Sequence, residues 1–128
     1  MMLIECPFCG ARDETEFSCG GEAHIARPLA ENKISDADFA DYLFMRDNPK
    51  GLFLERWRHN AGCRRWFNMA RDTVSHDIVE IYPMGKLPKT AAAKAAYNAS
   101  WRRNTAAEQA AKPAASATKA TAKARGAK

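Results

Sequence analysis

The chain reads as a small α+β protein: an antiparallel β meander with one main helix and a knuckle near the N-terminus. Three observations carry this reading. A C-x2-C pair is followed at once by glycine in Cys6 to Gly10, one capped amphipathic segment follows Ser35, and short apolar runs separated by turn residues lie between Leu52 and Tyr82. Connections this short favour hairpins over parallel crossovers.

Ile4 to Ser18 holds two short extended segments that flank a bend at Cys6, Pro7, Phe8, Cys9 and Gly10, with Glu16, Phe17 and Ser18 returning. Gly20 and Gly21 then break the chain again. Ser35 is a good helix N-cap, and Asp36 and Asp38 put negative charge in the first turn, where the helix dipole favours it. A helix from about Asp36 to Arg46 follows. Its Phe39, Tyr42, Leu43 and neighbouring Phe44 or Met45 recur at the spacing of one buried face. Asn48, Pro49, Lys50 and Gly51 end it with a turn. Leu52 to His59 then alternates, with Phe53, Glu55, Trp57 and His59 on one side and Leu52, Leu54, Arg56 and Arg58 on the other, the pattern of a strand. After Asn60, Ala61 and Gly62, Arg65 to Arg71 and Ile78 to Tyr82 supply two more strands.

With 128 residues the chain allows one compact domain of ordinary size, and no run of about eighteen apolar residues is present to cross a membrane. Met1 to Gly10 lacks the basic and apolar stretches of a secretory signal, so a cytoplasmic protein is expected. The net charge of +5 hides a division: ten basic and fourteen acidic residues up to Gly85, then ten basic and one acidic from Lys86 onward. The domain is accordingly placed at residues 1–89, and residues 90–128 form an Ala/Lys-rich basic tail, partly helical and then disordered. Alanines favour helix between Thr90 and Gln109, where Tyr97 and Trp101 stand four residues apart, whether to dock or as a fraying extension. Pro113 to Lys128 contains no large apolar residue to offset the entropy of ordering.

Four cysteines in a chain without a signal peptide point to metal or redox chemistry before a disulfide framework. Cys6 and Cys9 form half of a zinc site, with Gly10 letting backbone N–H groups turn toward the sulfurs. His59 and Cys63, separated by three residues across a Gly-containing turn, have the spacing of the other half. The resulting Cys3His set would fill a tetrahedral Zn2+ with protein ligands and leave no position for water, so the metal would staple a zinc-ribbon-like knuckle and not catalyse. Two alternatives stay open here. C-P-F-C is also a dithiol redox pattern, although no βαβ context surrounds it. Cys19 is chemically able to replace one ligand, but its place before Gly20 and Gly21 favours a free cysteine. His24 and His76 are expected as surface or hydrogen-bonded histidines.

No Gly-rich phosphate loop or recognisable catalytic constellation is present, so no catalytic residue is assigned. Trp57, Arg58, Arg64, Arg65, Trp66, Phe67 and Arg71 form an Arg/aromatic-dense stretch suited to a partner surface or, for the tryptophans, to the core.

Several motifs in order resemble one family. They are Leu3-Ile4-Glu5-Cys6-Pro7-Phe8-Cys9-Gly10, Glu16-Phe17, Gly20-Gly21-Glu22-Ala23-His24, and Tyr42-Leu43-Phe44 with Arg46, Asn48, Lys50 and Gly51. Glu55-Arg56-Trp57 with His59, Gly62-Cys63-Arg64, Trp66-Phe67-Asn68, Arg71-Asp72-Thr73-Val74 and Ile81-Tyr82-Pro83 continue the pattern. From Met1 to roughly Pro83 the chain resembles the delta subunit of heterotetrameric sarcosine oxidase. The resemblance implies a zinc-binding subunit of an alpha, beta, gamma, delta complex that oxidatively demethylates sarcosine to glycine, with tetrahydrofolate accepting the one-carbon unit and hydrogen peroxide formed. It implies FAD, FMN and NAD in the larger subunits, and zinc ligands at Cys6, Cys9, His59 and Cys63. Cys19 stands where the family usually has an aromatic residue, and the tail after about Lys89 has no counterpart. The rival class is a free-standing zinc-ribbon module binding nucleic acid through its basic tail; the acidic balance up to Gly85 opposes it.

Overall fold

The computed structural model of the protein describes residues 2–28, 34–100 and 102. In chain order the elements are β1 (Leu3–Cys6), β2 (Gly10–Asp13), β3 (Phe17–Glu22), α1 (Asp36–Phe44), β4 (Leu52–His59), β5 (Trp66–Asp72), β6 (Ile78–Pro83) and α2 (Ala91–Ala99). Trp101 and the segment beyond residue 102, where disorder is expected, lie outside the described residues.

β1 and β2 form a two-stranded antiparallel hairpin in which Cys6 faces Gly10. Gly10 has φ +84°, a left-handed conformation that a side chain would strain, which is why glycine follows Cys9 directly. A single 3-10 turn at Glu14–Glu16, capped by the Asp13 carboxylate accepting from the Thr15 amide at 2.9 Å, leads into β3. The return strand of the knuckle is therefore β2. Phe17 to Ser18, expected to be that return, instead starts an edge strand of the larger sheet, ordered β3-β4-β5-β6 and antiparallel throughout. Gly20 and Gly21 do not end β3: the β3–β4 register shifts between Cys19 and Glu22, and the strand absorbs the pair as an irregularity.

The alternation in β4 gives the sheet two covered faces. On one, Phe17, Phe67 and Met69 pack with Ile4 and Cys6 of the hairpin, flanked by Trp57, Ile78 and Ile81. On the other, Leu54, Ala70 and Ala23 pack against Ala93 of α2, with Leu52 and Tyr97 beside them. Ala70 and Ala93 are fully buried; their small side chains let the helix backbone approach the sheet closely. Within the sheet Glu55, 3% exposed, accepts from Arg71 at 2.6 and 2.9 Å and from the Trp57 indole at 2.8 Å, so a buried charge is paired and its lone pairs are used.

Glu80 on β6 caps α2 from outside. Its carboxylate accepts from the Lys89 amide at 2.8 Å, the Thr90 amide at 3.0 Å and the Thr90 hydroxyl at 2.9 Å, while Thr90 makes no side-chain cap bond of its own. Burial opposes the ionised form, but these hydrogen bonds outweigh it and hold the carboxyl below its ordinary value. A carboxyl lowered on folding stabilises the fold above its unfolded pKa and loses that contribution as pH falls through its folded pKa. Protection of the α2 amides, taken relative to the intrinsic exchange rate at each pH, should therefore fall on acidification through the carboxylate range, and Glu80→Ala should show the lower protection already at neutral pH.

α1 begins as the sequence predicts: the Ser35 hydroxyl accepts from the Asp38 amide at 3.2 Å and donates to its carboxylate at 2.7 Å. It ends two residues early, where Arg46 folds back to donate to the Tyr42 carbonyl at 2.8 Å. The larger correction concerns burial. No residue of α1 is buried, and Phe39, Leu43, Phe44 and the following Met45 are exposed, Phe44 to 75%. Helical spacing identified the apolar side of α1, but no other element of the described residues covers it.

Candidate metal centre

The hairpin and the β4–β5 turn meet at one end of the meander. Cys6 closes β1, Cys9 sits in the tight turn before Gly10, His59 is the last residue of β4, and Cys63 follows in the turn. That turn is shaped by backbone bonds from the His59 amide to the Arg65 carbonyl at 3.2 Å and from the Arg64 amide to the His59 carbonyl at 2.8 Å. The four candidate donor atoms all lie within 4.8 Å of one another. Cys6 Sγ and Cys63 Sγ are 3.6 Å apart, and Cys63 Sγ is 3.7 Å from His59 Nδ1. A tetrahedral zinc with Zn–S bonds of about 2.3 Å has S···S edges of about 3.8 Å, so these separations fit one ion among the four groups.

The histidine is prepared for this role. Its Nε2 lies 3.1 Å from Glu16 Oε2, and donation to that carboxylate leaves Nδ1 as the lone-pair nitrogen facing the sulfurs. Its ring is 1% exposed and stacks on Phe17, with centroids 4.4 Å apart and planes 18° apart. Phe17 pairs with His59 across β3 and β4, which places Glu16, one residue earlier, beside the ring. Gly62 lets the turn pass over the imidazole: a Cβ there would lie 2.0 Å from His59 Cε1. Neither Glu16 nor the demand on Gly62 follows from ligand spacing. Both come from the β3–β4 register and the turn it supports.

The sulfurs are not equivalent in the absence of an ion. The Arg65 backbone N–H lowers the Cys63 pKa to about 7 against the opposing effect of burial, helped by His59, Cys6 and Cys9. Burial raises the Cys9 pKa, and its hydrogen bond to the Cys63 side chain raises it further. Of Cys9 and Cys63, Cys63 is thus the one whose surroundings favour the thiolate. Cys19 lies outside the cluster: it is exposed on β3, accepts from the Gly21 amide at 3.4 Å, and burial leads the causes that raise its pKa. His24 shares a 2.6 Å hydrogen bond with the Tyr82 hydroxyl, and His76 one of 2.8 Å with Arg71, so neither is brought to the centre. Replacing Glu16 by alanine frees the tautomer and orientation of His59. The expected result is metal affinity reduced by about 10- to 100-fold, read by competition with a chromogenic chelator.

Fold and site together define a small α+β domain in which an N-terminal hairpin and a meander turn converge on a Cys3His cluster able to hold a metal ion. The chain belongs to the sarcosine oxidase, delta subunit family, whose profile matches residues 3–84. It is 55% identical over 86 residues to a sarcosine oxidase subunit delta from Corynebacterium sp. (strain P-1), covering 67% of this chain and 88% of the relative. The subunit from Arthrobacter sp is likewise 55% identical over 86 residues, with the same coverage of both chains. That from Rhizobium meliloti (strain 1021) is 46% identical over 76 residues, 59% of this chain and 79% of the relative. The family match ends one residue after β6 and does not include α2. No helix among the described residues is long and apolar enough to cross a membrane.

Proposed function

We propose that this chain is a structural, zinc-binding accessory subunit of a heterotetrameric sarcosine oxidase, which oxidatively demethylates sarcosine to glycine. In this reading tetrahydrofolate accepts the one-carbon unit and hydrogen peroxide is formed. FAD, FMN and NAD are held by the alpha, beta and gamma subunits in the cytoplasm, and this chain supports assembly without performing chemistry. Residues 1–89 act as the zinc-binding domain, and residues 90–128 are a basic tail whose first helix, α2, packs on the sheet. The observation that carries the zinc assignment is the convergence of Cys6, Cys9, His59 and Cys63 from two distant stretches, with donor separations close to the edges of a zinc tetrahedron. Four protein donors complete zinc's coordination, which is the arrangement of a structural site. Tying β1–β2 to the meander supports a domain whose hairpin carries few apolar residues of its own.

The same convergence weighs against an isolated Cys6/Cys9 dithiol, because His59 and Cys63 share the site. Arginines that a nucleic-acid surface would need are engaged internally: Arg71 with Glu55, Arg58 with the Arg64 carbonyl, and Arg56 with the Gly20 carbonyl. The test is co-expression of the four subunits with an affinity tag on the large flavoprotein subunit. Recovery of this chain in stoichiometric amount, carrying one zinc, is the expected result. A chain that remains in the flow-through and binds DNA with a steep salt dependence would replace the proposal with the nucleic-acid reading.

A further inference from the structure

Among the described residues, nothing covers the apolar side of α1. It has nine residues, shorter than the roughly 12–15 at which isolated helices become even marginally stable, and tertiary packing normally supplies what such a helix lacks. Among the described residues none of the helix is buried, and only Ala40, Asp41 and Tyr42 are partly covered. Phe39 and Leu43, four apart, form a stripe beside Tyr42, and Phe44 and Met45 project at the C-terminal end. The segment after its C-terminal end is fastened to the body. Buried Glu22 accepts from the Asp47 amide at 2.9 Å and from Arg102 Nε at 3.1 Å, and Arg102 also donates to the Met45 carbonyl. The helix thus leaves the body from a fixed point, with Phe39, Leu43 and Phe44 uncovered among the described residues.

We propose that α1 is a docking helix, with Phe39, Leu43 and Phe44 seated in an apolar groove rimmed by lysine and arginine on another subunit of the oxidase. The proposal rests on the accessory-subunit reading and names the surface by which the chain joins its complex. Charge and composition select this occupant. Asp36, Asp38 and Asp41 lie on the same nine residues, so packing α1 against α1 of a second copy would set acid against acid. Of the chain's own residues outside the described ones, 103–128 has basic charge but no large apolar residue, and Leu29 and Trp101 are two isolated apolar side chains, few to cover two phenylalanines and a leucine. A different subunit presenting apolar surface with a basic rim meets both requirements, and amphipathic helices in grooves are a recurrent mode of subunit recognition. The family's place among the subunits of an oxidase makes another subunit the candidate partner.

The test uses the double variant Phe39→Ala, Leu43→Ala in the full-length chain. Alanine keeps helical propensity, and both positions are exposed, so zinc content and thermal unfolding should match wild type. Affinity for the co-expressed remaining subunits should fall at least about tenfold. Asp36→Lys with Asp38→Lys should weaken assembly as well, most at low salt. Amide exchange in α1 should be fast in the free chain and slow in the complex. Wild-type assembly that the alanine pair leaves unchanged overturns the docking helix while leaving the subunit reading intact. Failure of the wild-type chain to assemble removes both. A concentration-dependent dimer that the alanine pair disperses would make a second copy the occupant. Slow exchange in the free chain, lost on truncation after Arg102, would make the tail the occupant. Either of these results overturns the proposal.

Discussion

Cys63→Ser is expected to reduce bound zinc from one per chain to near zero, whereas Cys19→Ser leaves it at one. Cys63 is within 3.6 Å of Cys6 Sγ and 3.7 Å of His59 Nδ1, so its sulfur contacts both halves of the cluster. It is also the thiol that the Arg65 amide favours as thiolate. A serine hydroxyl does not ionise near neutral pH and is a poor ligand for zinc, so three donors and a water would remain. Structural zinc contributes on the order of 10 kcal/mol of apparent folding free energy in small domains, comparable with the whole stability of most of them. The variant should lose cooperative thermal unfolding. Chelation of the wild-type chain should reproduce that loss, and added zinc should restore the wild type alone. Equal zinc loss in Cys63→Ser and Cys19→Ser would sink the ligand assignment.

Gly62→Ala should be nearly as damaging although it removes no ligand. The added methyl would stand 2.0 Å from His59 Cε1 and 2.5 Å from both ring nitrogens, so the imidazole must leave its place or the turn must open. The ring has little freedom to yield, being stacked on Phe17 and hydrogen-bonded to Glu16. Zinc affinity should therefore fall by at least about two orders of magnitude, beyond the usual effect of losing a group that orients a ligand. Metal competition with a calibrated chelator reads this directly, and wild-type affinity in Gly62→Ala would show that His59 sits elsewhere when the metal is bound.

Much of the architecture was legible because it rests on local rules. The C-x2-C-Gly turn, the Ser35 cap and the alternation of Leu52 to His59 each express backbone geometry or periodicity within a few residues, and each reappears in the structure. The convergence of Cys6, Cys9, His59 and Cys63 was legible too, since ligand pairs carry their own spacing. What escaped was set by register between strands remote in sequence. Glu16 is one carboxylate among many until Phe17 is paired with His59. The segment from Phe17 changes sheets because β4 offers a longer partner than the knuckle does. The apolar side of α1 was legible as a pattern, but a pattern does not say whether the cover comes from the same chain.

The separation of the two ligand pairs governs how the domain assembles. Cys6 and Cys63 are 57 positions apart, whereas β1–β2, β4–β5 and β5–β6 are hairpins between neighbours in sequence. Local hairpins form in microseconds, but joining the N-terminal hairpin to the meander carries the entropy of closing a long loop, so that junction forms late. Opening of that junction would expose the packed faces of Ile4 and Phe67, and an ion bound across it is expected to make such opening rarer. A protease acts in proportion to that open population. If the proposed zinc site is correct, a newly made chain supplied with zinc should resist proteolysis longer than one kept with chelator.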